Sequence, residues 1–112
     1  MEISKWGSKA EALKSFEESS GIKYDSQKPD WTLFPFSAAE QVVRVLEFGA
    51  KKYTRDNWQK VPDAGQRYLA AALRHLIARQ GGEVNDAESG LPHLAHAGCC
   101  VLFALWFEGK EK

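Results

Sequence analysis

Residues 74–96 read RHLIARQGGEVNDAESGLPHLAH, and this passage decides how the chain folds. It holds all three histidines, His75, His93 and His96, with the acids Glu83, Asp86 and Glu88 between them. Strongly apolar segments flank it, and Gly81-Gly82 and Pro92 punctuate it. Glycine after a periodic run ends a helix, and proline is tolerated only in a helix's first turn. The passage therefore reads as helix, acidic loop, helix. If the two helices pack antiparallel, His75, the loop acids and His93 converge.

Outward from that hinge, apolar periodicity predicts four helices and no strand. They cover about residues 8–20, 37–52, 63–80 and 90–108. Ser8 with Glu11 and Ser37 with Glu40 have capping-box spacing, and Asp63 and Ser89 stand where N-caps are expected. Val42, Val43, Leu46 and Ala50 form the apolar face of the second helix, and Leu69, Leu73 and Leu76 the inward stripe of the third. The fourth is apolar nearly all round from Leu94 to Phe107, which predicts the centre of a bundle or a subunit interface. The expected architecture is a single all-α domain over 1–112, a small four-helix bundle, oligomeric.

Composition narrows the function classes. Fifteen basic residues balance fifteen acidic ones among 112, so no general attraction to nucleic acid or an anionic membrane is expected. The N-terminus is polar, without the apolar core of a secretory signal, and the apolar run 97–107 is too short to span a bilayer. Cys99 and Cys100 are adjacent on one helix and point apart, so they read as buried thiols of a reducing cytoplasm.

Carboxylate oxygens with one or two imidazoles suit a hard divalent cation, Mg²⁺ or Mn²⁺. His75, Glu83, Asp86, Glu88 and His93 are the candidate ligands, with Glu47 of the second helix as a further one. Each has a plainer reading: the loop acids as a solvated turn, His96 as a core imidazole, Glu40 and Glu47 as members of surface ion pairs with Arg44 and Lys51. Lysines and aromatics interleave in GIKYDSQKPDW and KKYTRDNW, where cations can hold phosphate and rings can stack on a base. Lys28, Lys52, Tyr53, Asn57, Trp58 and Arg74 are the candidate substrate-binding residues; closing the end of a small core is the alternative for Trp58. No nucleophile motif or phosphate-binding P-loop is present, which leaves metal-activated water attacking phosphorus.

Three motifs, K-Y-D-S-Q-K-P-D-W, F-G-A-K-K-Y-x-x-x-N-W and L-R-H-L-x-x-x-x-G-G-E-x-x-D-x-E-S-G-L-P-H-L-A-H-A, together resemble the phage dATP/dGTP diphosphohydrolases (MazZ-type). Those are grouped with the MazG-like all-α nucleotide pyrophosphohydrolases. The resemblance runs over about residues 22–105. It implies hydrolysis of a (deoxy)nucleoside triphosphate to monophosphate and pyrophosphate with a divalent metal, by a dimer or tetramer in the host cytoplasm. Glu83, Asp86 and His96 are then the expected catalytic residues. The chain departs from the wider MazG pattern in lacking E-E-x-x-E, and its E-x-x-D at Glu83–Asp86 precedes the last helix. That departure keeps open a non-catalytic phage protein that binds a nucleotide or host factor, or a phosphohydrolase of another nucleotide.

Overall fold

The computed structural model describes residues 21–110, and within them the chain is helical, with no strand. The described residues fall into two units, divided between Phe34 and Pro35. In the first, a turn closes where Lys28 N donates to Asp25 O, and a 3-10 turn follows at Trp31–Leu33, capped by the Asp30 side chain.

The second unit contains three α-helices: α1, Phe36–Lys52; α2, Ala64–Gln80; and α3, His93–Lys110. A 3-10 turn, Asn57–Lys60, lies between α1 and α2. The helix expected at 8–20 lies outside the described residues, so three helices stand where four were expected. None of the described helices is long and apolar enough to cross a membrane.

α2 and α3 are antiparallel. His75, near the end of α2, meets His93 at the start of α3, while Gly65 at the start of α2 lies against Phe107 near the end of α3. α3 packs most extensively on α2 and less so on α1. Against α1, Val45, Ala95 and Cys99 form the buried cluster, flanked by Val42, Leu91 and Phe103. An ideal Cβ on Gly98 would stand 3.4 Å from Val42 Cγ2, so α1 and α3 pack closely there.

The buried apolar residues are small: Ala64, Ala72, Ala95, Ala97 and Cys99, with Val45 the largest. Burial reverses two expectations. Leu69, Leu73 and Leu76 are 47%, 51% and 43% exposed instead of lining the core, and Val43, Leu46 and Ala50 are also exposed. Periodicity marks an apolar face but does not say which neighbour covers it. Here the residues buried on α2 and α3 are mostly alanines, which allow close approach, and the leucines are turned outward.

Caps differ too. α1 begins one residue before Ser37, with Pro35 at the cap position and no side-chain cap, and Glu40 bonds Arg44 at 2.7 Å instead of closing a box. Asp63 holds the cap position of α2 in left-handed backbone (φ 53°) without a side-chain bond. The end of α2 follows its sequence signal. Gly82 N donates to Arg79 O and Glu83 N to Ala78 O, the paired bonds of a Schellman motif, with Gly82 at φ +107°.

A Cβ on Gly82 would meet no atom within 4 Å, so replacing it is a purely conformational change. We expect Gly82→Ala to destabilise by about 1–2 kcal/mol, the usual penalty for a side chain in left-handed backbone. Chemical denaturation would measure it; an unchanged midpoint would show that the turn does not need glycine.

Candidate metal centre

The twelve-residue loop between α2 and α3 is tied to itself by backbone bonds. Asp86 N donates to Leu91 O, Gly90 N to Asp86 O and His93 N to Val84 O, each at 2.8 Å. Asp86 sits at its centre, and its Oδ2 accepts from Glu88 N at 3.1 Å and Ser89 N at 3.0 Å. These donors belong to the carboxylate's own turn, so loop folding and side-chain orientation are one event.

Against this carboxylate the antiparallel helices bring two imidazoles. His75 Nδ1 and His93 Nδ1 are 2.8 Å apart, and ligand atoms of His75, Asp86 and His93 all lie within 4.8 Å of one another. His93 is buried, at 4% exposure. Its other nitrogen, Nε2, lies 2.6 Å from Glu83 Oε1. A carboxylate can only accept, so Nε2 carries the hydrogen and Nδ1 is the nitrogen turned toward His75. Two imidazole nitrogens and one carboxylate are a donor set that holds divalent ions well, so these residues fit a metal on chemical grounds.

His96 stacks on His75 with ring centroids 4.6 Å apart and planes 15° from parallel, and its Nε2 lies 2.7 Å from Ser89 Oγ. Ser89 therefore holds His96 and, through the same oxygen, accepts from Leu91 N at 3.1 Å; it does not cap α3, which starts at His93. Burial is the chief reason that the pKa values of His75 and His96 fall below the ordinary 6.5, with the neighbouring imidazoles adding to it. For Asp86 burial acts upward. The N–H groups of Ser89 and Glu88, with the imidazoles of His96 and His75, outweigh it and hold the carboxyl below 3.8.

Beside the cluster opens a cavity of about 710 Å³. His75, Asp86, Glu88 and His96 line one part of it, and Lys52, Tyr53, Arg55, Asn57, Trp58 and Glu47 line others. Lys52 Nζ bonds Glu88 Oε2 at 2.7 Å, joining the end of α1 to the acidic loop. That bond, above all, raises the lysine pKa.

Of the residues singled out in the sequence, then, His75, Asp86 and His93 form the cluster. Glu83 lies one step behind it on His93, Glu88 is paired with Lys52, and Glu47 is an exposed residue of the cavity wall. Arg74 is exposed and does not line the cavity. Lys28 belongs to the first unit, separate from this one. Trp58 stacks on Phe103 with centroids 4.1 Å apart and planes 8° from parallel, and meets Trp106 edge-on, so one of its faces is already engaged. The wall also takes in Phe48, Tyr68, Phe103 and Cys100, none of them singled out as site residues in the sequence.

Fold and site thus define a small helical unit with a mixed histidine–carboxylate centre beside a cavity lined by aromatic, charged and aliphatic side chains. The chain matches the family described as dATP/dGTP diphosphohydrolase, N-terminal, over residues 18–112, and it belongs to that family. It is similar to the dATP/dGTP diphosphohydrolase of Salmonella phage PMBT28, at 38% identity over 86 residues. Those residues are 77% of this chain but 29% of the relative, so the chain spans under a third of that protein's length. No solved structure matches.

The two lowered histidines set a pH dependence. Folded, they stay neutral below 6.5, while unfolded rings take up protons there. Their contribution is therefore complete above pH 6.5 and is lost as pH falls below it. Asp86 adds a constant over that range, because its contribution is lost only on descending below 3.8. The melting temperature in EDTA should drop between about pH 7.5 and 5. His75→Gln should flatten that fall, and an identical slope in the variant would refute the assignment.

Proposed function

We propose that this chain carries out metal-dependent hydrolysis of a (deoxy)nucleoside triphosphate, dATP or dGTP foremost, to the monophosphate and pyrophosphate. The observation that carries this is the convergence of His75, Asp86 and His93 at the edge of a cavity that Lys52 reaches from the opposite element. Family membership and the relative's name support the substrate class.

A divalent cation held by His75, Asp86 and His93 would supply Lewis acidity to water and charge neutralisation to the triphosphate. The chain's own groups account for the rest. Lys52 exchanges Glu88 for a phosphate oxygen, a charge-assisted bond of the same kind. Tyr53 is 59% exposed on the cavity wall and is available to the base, whereas Trp58 is committed to Phe103. Water attacks the α-phosphorus, and the bond to the bridging oxygen breaks as pyrophosphate leaves. His96, kept neutral by burial and held by Ser89, accepts the water's proton.

Incubation with each dNTP and NTP, with Mg²⁺ or Mn²⁺ and product chromatography, tests the reading. Deoxypurine monophosphate with pyrophosphate is the expected result; nucleotide bound but unchanged would overturn it. Asp86→Asn should lower turnover by about 100-fold or more, since it removes an anionic ligand. Lys52→Gln should raise KM by about 10- to 100-fold, the worth of one charged hydrogen bond.

Self-association as a dimer or tetramer belongs to the same proposal. On α2 Leu73 and Ile77 are 51% and 70% exposed, and on α3 Leu94 and Leu105 are 57% and 59% exposed, all at helical spacing. Apolar faces of this kind mark interfaces in small helical proteins. Light scattering should give a multiple of the chain mass, and Ile77→Glu should reduce it to one chain. A monomeric parent would end this part of the proposal.

A further inference from the structure

The sequence has many carboxylates in the loop, which is why a hard ion such as Mg²⁺ is its natural expectation. The structure distributes them differently. Glu88 is engaged by Lys52, Glu83 by His93 Nε2, and Asp86 alone of the loop acids joins the cluster. What faces the centre is two ring nitrogens and one carboxylate.

We propose that the α2–α3 junction takes a nitrogen-accepting transition-metal dication, of the Co²⁺ and Zn²⁺ class, in preference to Mg²⁺. In this assignment, Glu83 is not a ligand but the positioning residue that sets His93. It rests on the proposed function for the existence of a bound metal and goes beyond it in the identity of that metal and the part played by Glu83.

The donors argue for the metal class. Mg²⁺ dehydrates reluctantly and prefers oxygen, whereas imidazole suits the later first-row ions, with affinity rising from Mn²⁺ through Co²⁺. Of the two rings, His93 is buried and His75 half-buried on the cavity wall. A hard ion with a full hydration shell would have to shed it against poor donors there.

The bond at 2.6 Å argues for Glu83. With its oxygen on Nε2–H, the carboxylate fixes one tautomer of His93, directs the Nδ1 lone pair into the cluster and makes that nitrogen more basic. A metal-bound histidine commonly has such a partner behind it. Position supports the same role: Glu83 leaves the Schellman turn at the end of α2, and His93 N donates to Val84 O, so the backbone bonds that end one helix and begin the next set the pair.

The test uses the full chain, stripped with EDTA and titrated with CoCl₂, MnCl₂ or MgCl₂ alone, by calorimetry and, for Co²⁺, by its visible spectrum. One tight Co²⁺ site with nitrogen-type absorption and Mg²⁺ at least about 100-fold weaker is expected. His75→Gln and Asp86→Asn should abolish the spectrum. Replacing the buried His93 endangers the fold, so His75→Gln carries the nitrogen-ligand arm. Glu83→Gln should keep the spectrum and the metal-free melting temperature while weakening Co²⁺ by about 10- to 100-fold.

Mg²⁺ binding within tenfold of Co²⁺, or Co²⁺ absorption unchanged in His75→Gln, would overturn the metal class. Glu83→Gln binding as tightly as the parent, or losing the spectrum as Asp86→Asn does, would overturn the positioning role. The two proposals fail separately. Hydrolysis with Mg²⁺ alone that survives His75→Gln removes this inference and keeps the hydrolase, while Co²⁺ binding as described without turnover of any nucleotide does the reverse.

Discussion

The contact between His75 and His93, 2.8 Å from nitrogen to nitrogen, is where the last turns of α2 and the first turn of α3 are joined. One ring is half-buried and the other 4% exposed, so the pair is desolvated, and each nitrogen needs a partner there. The partners come from one short loop. Glu83 holds the far side of His93, Asp86 faces the pair, and Ser89 holds His96, whose ring lies flat on His75. Displacing either helix along its axis would leave several of these groups unpaired at once.

That arrangement depends on how thin the core is. Helices come closest where side chains are smallest, and the residues buried in this unit are alanines, a cysteine and one valine besides His93. Close approach lets imidazoles from facing helices reach each other directly. It also leaves larger apolar residues outside, on α2 at Leu73 and Ile77 and on α3 at Val101, Leu102 and Leu105. The aromatic side chains collect instead at the other end, where Trp58, Phe103, Trp106 and Phe107 pack together. The two ends of α3 thus do different work: a polar, hydrogen-bonded end at His93 and an aromatic end that fixes the turn Asn57–Lys60 and with it one wall of the cavity.

Some of this was legible in the chain. Gly81-Gly82 announced the end of α2, and a helix–loop–helix with histidines on both arms implied that they would meet. Caps were less legible. Ser37 has the right spacing to Glu40, yet Pro35 allows the helix to start at Phe36, which places Ser37 inside it and leaves Glu40 to Arg44. Ser89 has a capping hydroxyl, but α3 starts four residues later at His93, and the hydroxyl pairs with His96 Nε2 at 2.7 Å. For Ser89 a local motif gave way to a partner brought by packing, and for Glu40 to an ion pair one turn along its own helix.

By itself the sequence determined the helical class, the stops and the inventory of donors, because these follow from φ restrictions, hydrogen bonding within a few residues and apolar spacing. Only the tertiary structure decided the assignment among those donors. Glu83, Asp86 and Glu88 are chemically alike and within six positions of one another, yet one supports a histidine, one faces the cluster and one pairs with a lysine from another helix. Which of the three does which depends on the direction in which the loop turns each side chain and on what α1 and α3 place opposite it, and through-space proximity of that kind has no signature in residue order.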